Sequence, residues 1–242
     1  MNNQNVIVHK LMPGDNLYQL AIQYKTTADG ILAANPYLNP YRLKIGDEII
    51  IYPGRSGLNG DSMTKREVDL MNKMRNLWEQ HSIWTRSLII STVDNLRDLD
   101  FVTRRLLRNP KDIGNVYKIY YGDNVAKQIE ELFTDHLVIG NKLINSLKAG
   151  ETTNAAAFDK AWYKNADDIA SYLASINPYY VENDIRQMLY NHLDLVKKQA
   201  SNRLAGNYED DIKAFDDVEN QALKMADTFS RGIINQFSTH FL

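Results

Sequence analysis

The stretch VIVHKLMPGDNLYQLAIQYKTTADGILAANPYLNPYRLKIGDEIIIYP, residues 6–53, decides the fold of the first part of the chain. Val6-Ile7-Val8 has the β-branched character of a short strand. Pro13-Gly14-Asp15-Asn16 follows as a turn, and its acidic and amide side chains suit the start of a helix, where they accept hydrogen bonds from free backbone N–H groups. Leu17, Leu20, Ala21 and Tyr24 then fall at helical spacing. A second short helix carries Ile31, Leu32 and Ala34 and is stopped at Asn35-Pro36, because proline disfavours helix in the residue before it. Leu43, Ile45 and Gly46-Asp47 lead into a closing strand from Glu48 to Tyr52. The order is strand, helix, helix, strand, a small α+β unit.

Several spaced features of this stretch together resemble a LysM domain. They are Gly14-Asp15-x-Leu17, the Leu20-Ala21 pair, Ile31, Asn35-Pro36, Leu43, Gly46 and the closing Ile51-x-Pro53. The resemblance covers residues 6–53 and implies binding of N-acetylglucosamine polymers such as peptidoglycan or chitin. It also implies a shallow groove, with Gly14, Asp15, Asn16 and Leu17 on one side and Asn35, Pro36, Tyr37 and Leu38 on the other. Asn16 departs from the Thr or Ser commoner in the family, so an amide contact replaces a hydroxyl contact or the contact is lost. Local roles compete with sugar contact: Asp15 and Asn35 suit capping and turns, and Leu17 and Leu38 suit a core. Tyr37 and Tyr41 are candidates for packing on sugar, since an aromatic ring combines apolar area with a polar handle.

Beyond residue 53 the chain changes character. PGRSGLNGDS, residues 53–62, is rich in Gly, Ser and turn-forming residues, which marks residues 54–63 as a linker between a domain at 1–53 and one at 64–242. From there strand-like runs disappear and helical periodicity takes over, with breaks at Asn109-Pro110, Gly122-Asp123, Ala149-Gly150, Asn177-Pro178 and Gly206-Asn207. Six helical segments are expected. LWEQH ending at His81, LFTDH ending at His136 and MLYNH ending at His192 align at offsets of 55 and 56 residues. Asn109-Pro-Lys-Asp-Ile113 likewise aligns with Asn165-Ala-Asp-Asp-Ile169. The second domain is therefore expected to be an all-α bundle built from three helical hairpin repeats, each with a histidine in its first helix.

Those histidines lie on apolar stripes, so they are expected inside, where an imidazole needs hydrogen-bond partners or a metal. His81, His136 and His192, joined by a carboxylate such as Asp135 or Asp168, form a candidate site for a divalent transition metal, since helical metalloproteins place ligands on facing helices. The competing reading is three hydrogen-bonded core histidines; the Glu-x-x-His pairs of di-iron bundles are missing. Patterns such as LWEQHSIWTRSLI and NHLDL distantly resemble ferritin-like or DinB-like bundles, from which no activity follows. Trp78, Trp84 and Trp162 read as core, Arg104-Arg105 and Lys197-Lys198 as solvated faces, and Glu209-Asp210-Asp211 as acids favoured at a helix N-terminus.

Bulk properties narrow the functions. Hydrophobic residues at 44% and charged residues at 24% fit a folded chain rather than a disordered one. A formal net charge of −2 supplies no general attraction to nucleic acid or anionic membrane. Cysteine is absent, which excludes disulfides and thiolate chemistry. No signal-peptide core and no run of about 18 apolar residues is visible, so the expectation is a soluble chain made in the cytoplasm and associated with cell wall or spore. No nucleophile elbow, phosphate loop or zincin motif marks an enzyme. The leading reading is a glycan-binding protein whose helical domain acts or recruits a protein partner. The alternatives are a metal-binding bundle or metalloenzyme anchored by the first domain, and a structural assembly protein of a spore coat or phage-like particle.

Overall fold

A computed structural model of the chain describes residues 7–35, 38, 43–53 and 63–241. It divides into two compact units, Met1–Thr64 and Lys65–Leu242. Val6, Pro36, Tyr37, Tyr41 and residues 54–62 of the expected linker lie outside the described residues.

The first unit runs β1 (Ile7–Lys10), α1 (Leu17–Gln23), α2 (Ala28–Ala34) and β2 (Glu48–Ile51). The strands are antiparallel, with Ile7 opposite Ile51 and Lys10 opposite Glu48. Alternation of side chains along a strand sends Ile49 and Ile51 inward and leaves Glu48 and Ile50 facing out. Leu11, Leu17, Leu20, Ala21 and Ile31 complete the core. Both helices begin on a side-chain cap: Asn16 accepts from the Gln19 N–H at 2.9 Å and Thr27 from the Gly30 N–H at 2.9 Å. Each cap satisfies one of the N–H groups that a helix start leaves free.

The second unit contains α3 (Lys65–Val93), α4 (Leu99–Leu106), α5 (Asn109–Tyr121), α6 (Asp123–Ala149), α7 (Thr152–Ile176), α8 (Glu182–Leu204) and α9 (Tyr208–Gln236), with a terminal 3₁₀ turn at Ser238–Phe241. Seven α-helices therefore stand, among the described residues, where six segments were expected. The additional break separates α3 from α4. There Asn95 takes a left-handed backbone with φ 54°, a conformation asparagine tolerates better than most residues. The Leu96 N–H then bonds to the Ser91 carbonyl at 3.0 Å, and the Ser91 hydroxyl to Asp98 at 2.8 Å. The other breaks fall where Gly122, Gly150 and Gly206 adopt positive φ, and Pro110 sits in the first turn of α5.

Successive helices from α5 to α9 pack on their neighbours, and α9 returns onto α3. The first helices of the hairpins, α3, α6 and α8, carry the interior: α3 touches both α6 and α8. One apolar core runs through the unit, with Trp78, Phe133, Ile169, Leu189 and Phe229 among its members. Asp211 is not a solvated helix-start acid. It is fully buried and pairs with Arg86 at 2.7 Å and Arg203 at 3.6 Å, while Arg203 also pairs with Asp94. Lys197 is half-buried between Asp159 and Tyr163 rather than on a free face. Arg105 bonds Gln80 and lies over Trp84. No described helix is long and apolar enough to cross a membrane.

Candidate functional site

In the first unit the turn residues split between surface and scaffold. Gly14 and Asn16 are exposed, Asp15 is half-buried and Leu17 is in the core. Gly14 holds φ +93°, with open space where a Cβ would stand, so the backbone there is free of side-chain cover. Asp15 accepts from the Met12 N–H at 2.7 Å and bonds the His9 ring at 2.8 Å. The His9 bond, then the Met12 N–H, hold its carboxyl below the usual range, because hydrogen bonds to the charged form favour it. Across the same core, Leu38 packs with the cluster that contains Leu17.

Asn35 is committed to the fold. Its amide donates to the Ile31 and Ile50 carbonyls, each at 2.7 Å, and its oxygen accepts from the Ile50 N–H at 2.8 Å. One side chain thus finishes α2 and pairs both polar groups of a residue in β2. Met12 and Ile45 stand largely exposed beside the turns, and Gly46 N–H to Leu11 carbonyl and Leu11 N–H to Asp47 carbonyl, both 2.8 Å, tie those turns together.

In the second unit the three histidines come together from α3, α6 and α8. Ring centres of His81 and His192 lie 5.6 Å apart, His136 and His192 6.3 Å, and His81 and His136 6.5 Å. All three are buried. The same hydrogen-bonded device holds each ring. His81 Nδ1 meets Asn109 Oδ1 at 3.1 Å, while Asn109 Nδ2 donates to the Leu77 carbonyl at 2.9 Å. His136 Nδ1 meets Asn165 Oδ1 at 2.9 Å, and Asn165 Nδ2 donates to the Leu132 carbonyl at 3.1 Å. His192 Nδ1 meets Gln221 Oε1 at 2.9 Å, and Gln221 Nε2 donates to the Met188 carbonyl at 2.9 Å. In each case the carbonyl belongs to the residue four before the histidine.

The logic of these bonds fixes the protons. A carbonyl only accepts, so each amide must turn its NH₂ to the carbonyl and its oxygen to the imidazole. The oxygen only accepts as well, so Nδ1 carries the hydrogen and Nε2 is left with a lone pair. Burial pushes His81 and His136 down to about 3, helped by the charges the neighbouring histidines would carry, and burial takes His192 to about 4. The rings are neutral at ordinary pH.

A cavity of about 20 Å³ is lined by all three rings, with Thr85, Gly140 and Trp162. The Thr85 hydroxyl and the Trp162 indole N–H are buried without a hydrogen-bond partner. Gly140 lets Trp162 reach the cavity: a Cβ at 140 would lie 2.8 Å from the indole ring.

The expected carboxylates do not join the imidazoles. Asp135 and Asp168 are exposed, and Asp168 pairs with Lys164 on its own helix. One helical residue turns about 100°, so Asp135 leaves the stripe that buries His136, and Asp168 lies outward of Asn165. The residues missed as partners are Asn109, Asn165 and Gln221. They were legible in part, since Asn109 and Asn165 align in the repeat; Gln221 continues it after the same interval of 56 residues.

A LysM domain family model matches residues 9–51. No curated protein and no solved structure matches the chain, so the likeness of the helical unit to ferritin-like or DinB-like bundles gains no support.

Proposed function

We propose that the chain docks through its LysM domain on a wall glycan built of N-acetylglucosamine, peptidoglycan or chitin, and holds the helical unit there. The match of residues 9–51 to the LysM family carries this reading, and the β-α-α-β order with both helices capped agrees with it. Binding by that domain calls for backbone donors and small apolar surfaces at the N-acetyl groups. The bare Gly14 backbone, the exposed Asn16 amide, and exposed Met12 and Ile45 are of that chemistry. Asn35, whose amide is fully engaged within the fold, serves as scaffold under the same reading.

The test is titration of the ¹⁵N-labelled full chain with chitin oligomers and with soluble peptidoglycan fragments. Shifts are expected at Gly14 to Leu17 and at Leu38, leaving the helical unit unmoved. Unchanged resonances throughout residues 7–53 at millimolar glycan would overturn the reading. A second reading, in which the domain anchors a metal-binding helical unit, is favoured by one observation, the three imidazoles on one cavity.

A further inference from the structure

We propose that His81, His136 and His192 bind one divalent transition-metal ion through their Nε2 atoms, with a fourth coordination position facing the cavity beside Thr85. A single buried histidine bonded to an amide is ordinary core chemistry. Three of them at equivalent places in a repeated hairpin, each held by the same pair of bonds, bring three proton-free ring nitrogens into one interior. None of the three Nε2 atoms is engaged by another protein group among the described residues. Lone pairs left without partners in a protein interior are costly. One water has two hydrogens to donate, whereas one cation satisfies all three nitrogens.

The surroundings match what a metal-binding imidazole requires. Its other ring nitrogen is normally fixed by a hydrogen bond that sets tautomer and orientation, the role of Asn109, Asn165 and Gln221 here. Each amide is itself anchored to a helix carbonyl. Neutral nitrogen donors without a nearby carboxylate select zinc, copper, nickel, cobalt or iron over magnesium or calcium. A cavity of about 20 Å³ is of the size that holds one small guest. As the rings stand, no three His, Asp or Glu side chains among the described residues are gathered tightly enough to hold an ion. Zn–N bonds of about 2.0–2.1 Å set ring centres closer than the observed 5.6–6.5 Å, so binding draws the rings inward.

The experiment uses the full chain, stripped with chelator and refolded with Co(II) or Zn(II). One equivalent of metal per chain is expected, together with the visible absorption of low-coordinate cobalt. Long-range ¹H–¹⁵N correlation of the histidine rings should show three Nδ1–H tautomers before zinc and displacement of all three Nε2 signals after it. His136→Ala should weaken binding by at least about 100-fold, and Asn165→Ala by about 10- to 100-fold, the range for second-layer partners of a metal ligand. If His136→Ala does not fold, the ring signals of the unaltered protein decide alone. The proposal is overturned if the folded chain takes up no metal, if any of the three Nε2 signals stays in place, or if binding is undiminished in a folded His136→Ala. Unmoved Nε2 signals would mean that the cavity holds water only.

Discussion

The two units spend their buried amides in opposite ways. In the LysM domain, Asn35 gives every hydrogen bond it has to the backbone, tying the end of α2 to β2. In the helical unit, Asn109, Asn165 and Gln221 give one bond to the backbone and the other to an imidazole. The small domain has little apolar core and needs its polar side chains to secure short elements. The bundle has long helices that hold themselves together, so its amides are free to orient another side chain. Polar groups in the first unit build structure; in the second they prepare a site.

The sharpest break in that comparison is acid. Each triad histidine has a folded-state pKa lowered from 6.5, to about 3 for His81 and His136 and about 4 for His192. Below pH 6.5 the unfolded chain therefore takes up protons that the folded one refuses. The stability these groups contribute is present above pH 6.5 and is lost as pH falls toward 3–4. Each imidazole costs about 1 kcal/mol or slightly more per pH unit within that window. The metal-free bundle should thus unfold well before pH 4, followed by loss of helical circular dichroism. A helical signal unchanged between pH 7 and pH 4 would show that the rings are not held neutral and buried.

Next in size is the contrast between two asparagines. Asn165→Ala orphans the His136 Nδ1–H and the Leu132 carbonyl in the interior. At about 1–3 kcal/mol for each buried unsatisfied group, a loss of about 2–5 kcal/mol in chemical denaturation of the helical unit is expected. Asn35→Ala frees groups of Ile50, a partly exposed residue, where water replaces what is lost. A smaller cost, about 1–2 kcal/mol, should appear in hydrogen exchange of β2. Equal costs at the two positions would erase the distinction between scaffold and site.

The sequence exposes what is locally determined and hides what depends on a third dimension. Gly14-Asp15-Asn16-Leu17 and Asn35-Pro36 announce the LysM elements because turn and cap chemistry acts within four residues. His81, His136 and His192 are visible because repetition at 55 and 56 residues survives divergence elsewhere. Their amide partners were half visible. Asn109 and Asn165 repeat, yet their bonds span 28 and 29 residues to another helix, and Gln221 substitutes a longer amide. Asp135 misled because adjacency to His136 in sequence is opposition on a helix. The break before α4 was hidden because it rests on one left-handed asparagine, Asn95, rather than on proline or glycine.

Asn16 offers the smallest effect and the finest division between structure and function. Its oxygen caps α1 through the Gln19 N–H, and its amide is exposed at the turn. Asn16→Ala removes both roles and should cost about 1 kcal/mol of domain stability, the usual worth of a cap. Asn16→Ser keeps an oxygen at the cap and discards the amide, so melting should stay within a few tenths of a kcal/mol of the parent. If the amide reaches a sugar, chitin-oligomer affinity falls in the serine variant although stability does not. If affinity holds in Asn16→Ser and drops in Asn16→Ala only as far as stability drops, the side chain is a cap alone. Recognition at this edge then belongs to the bare backbone of Gly14.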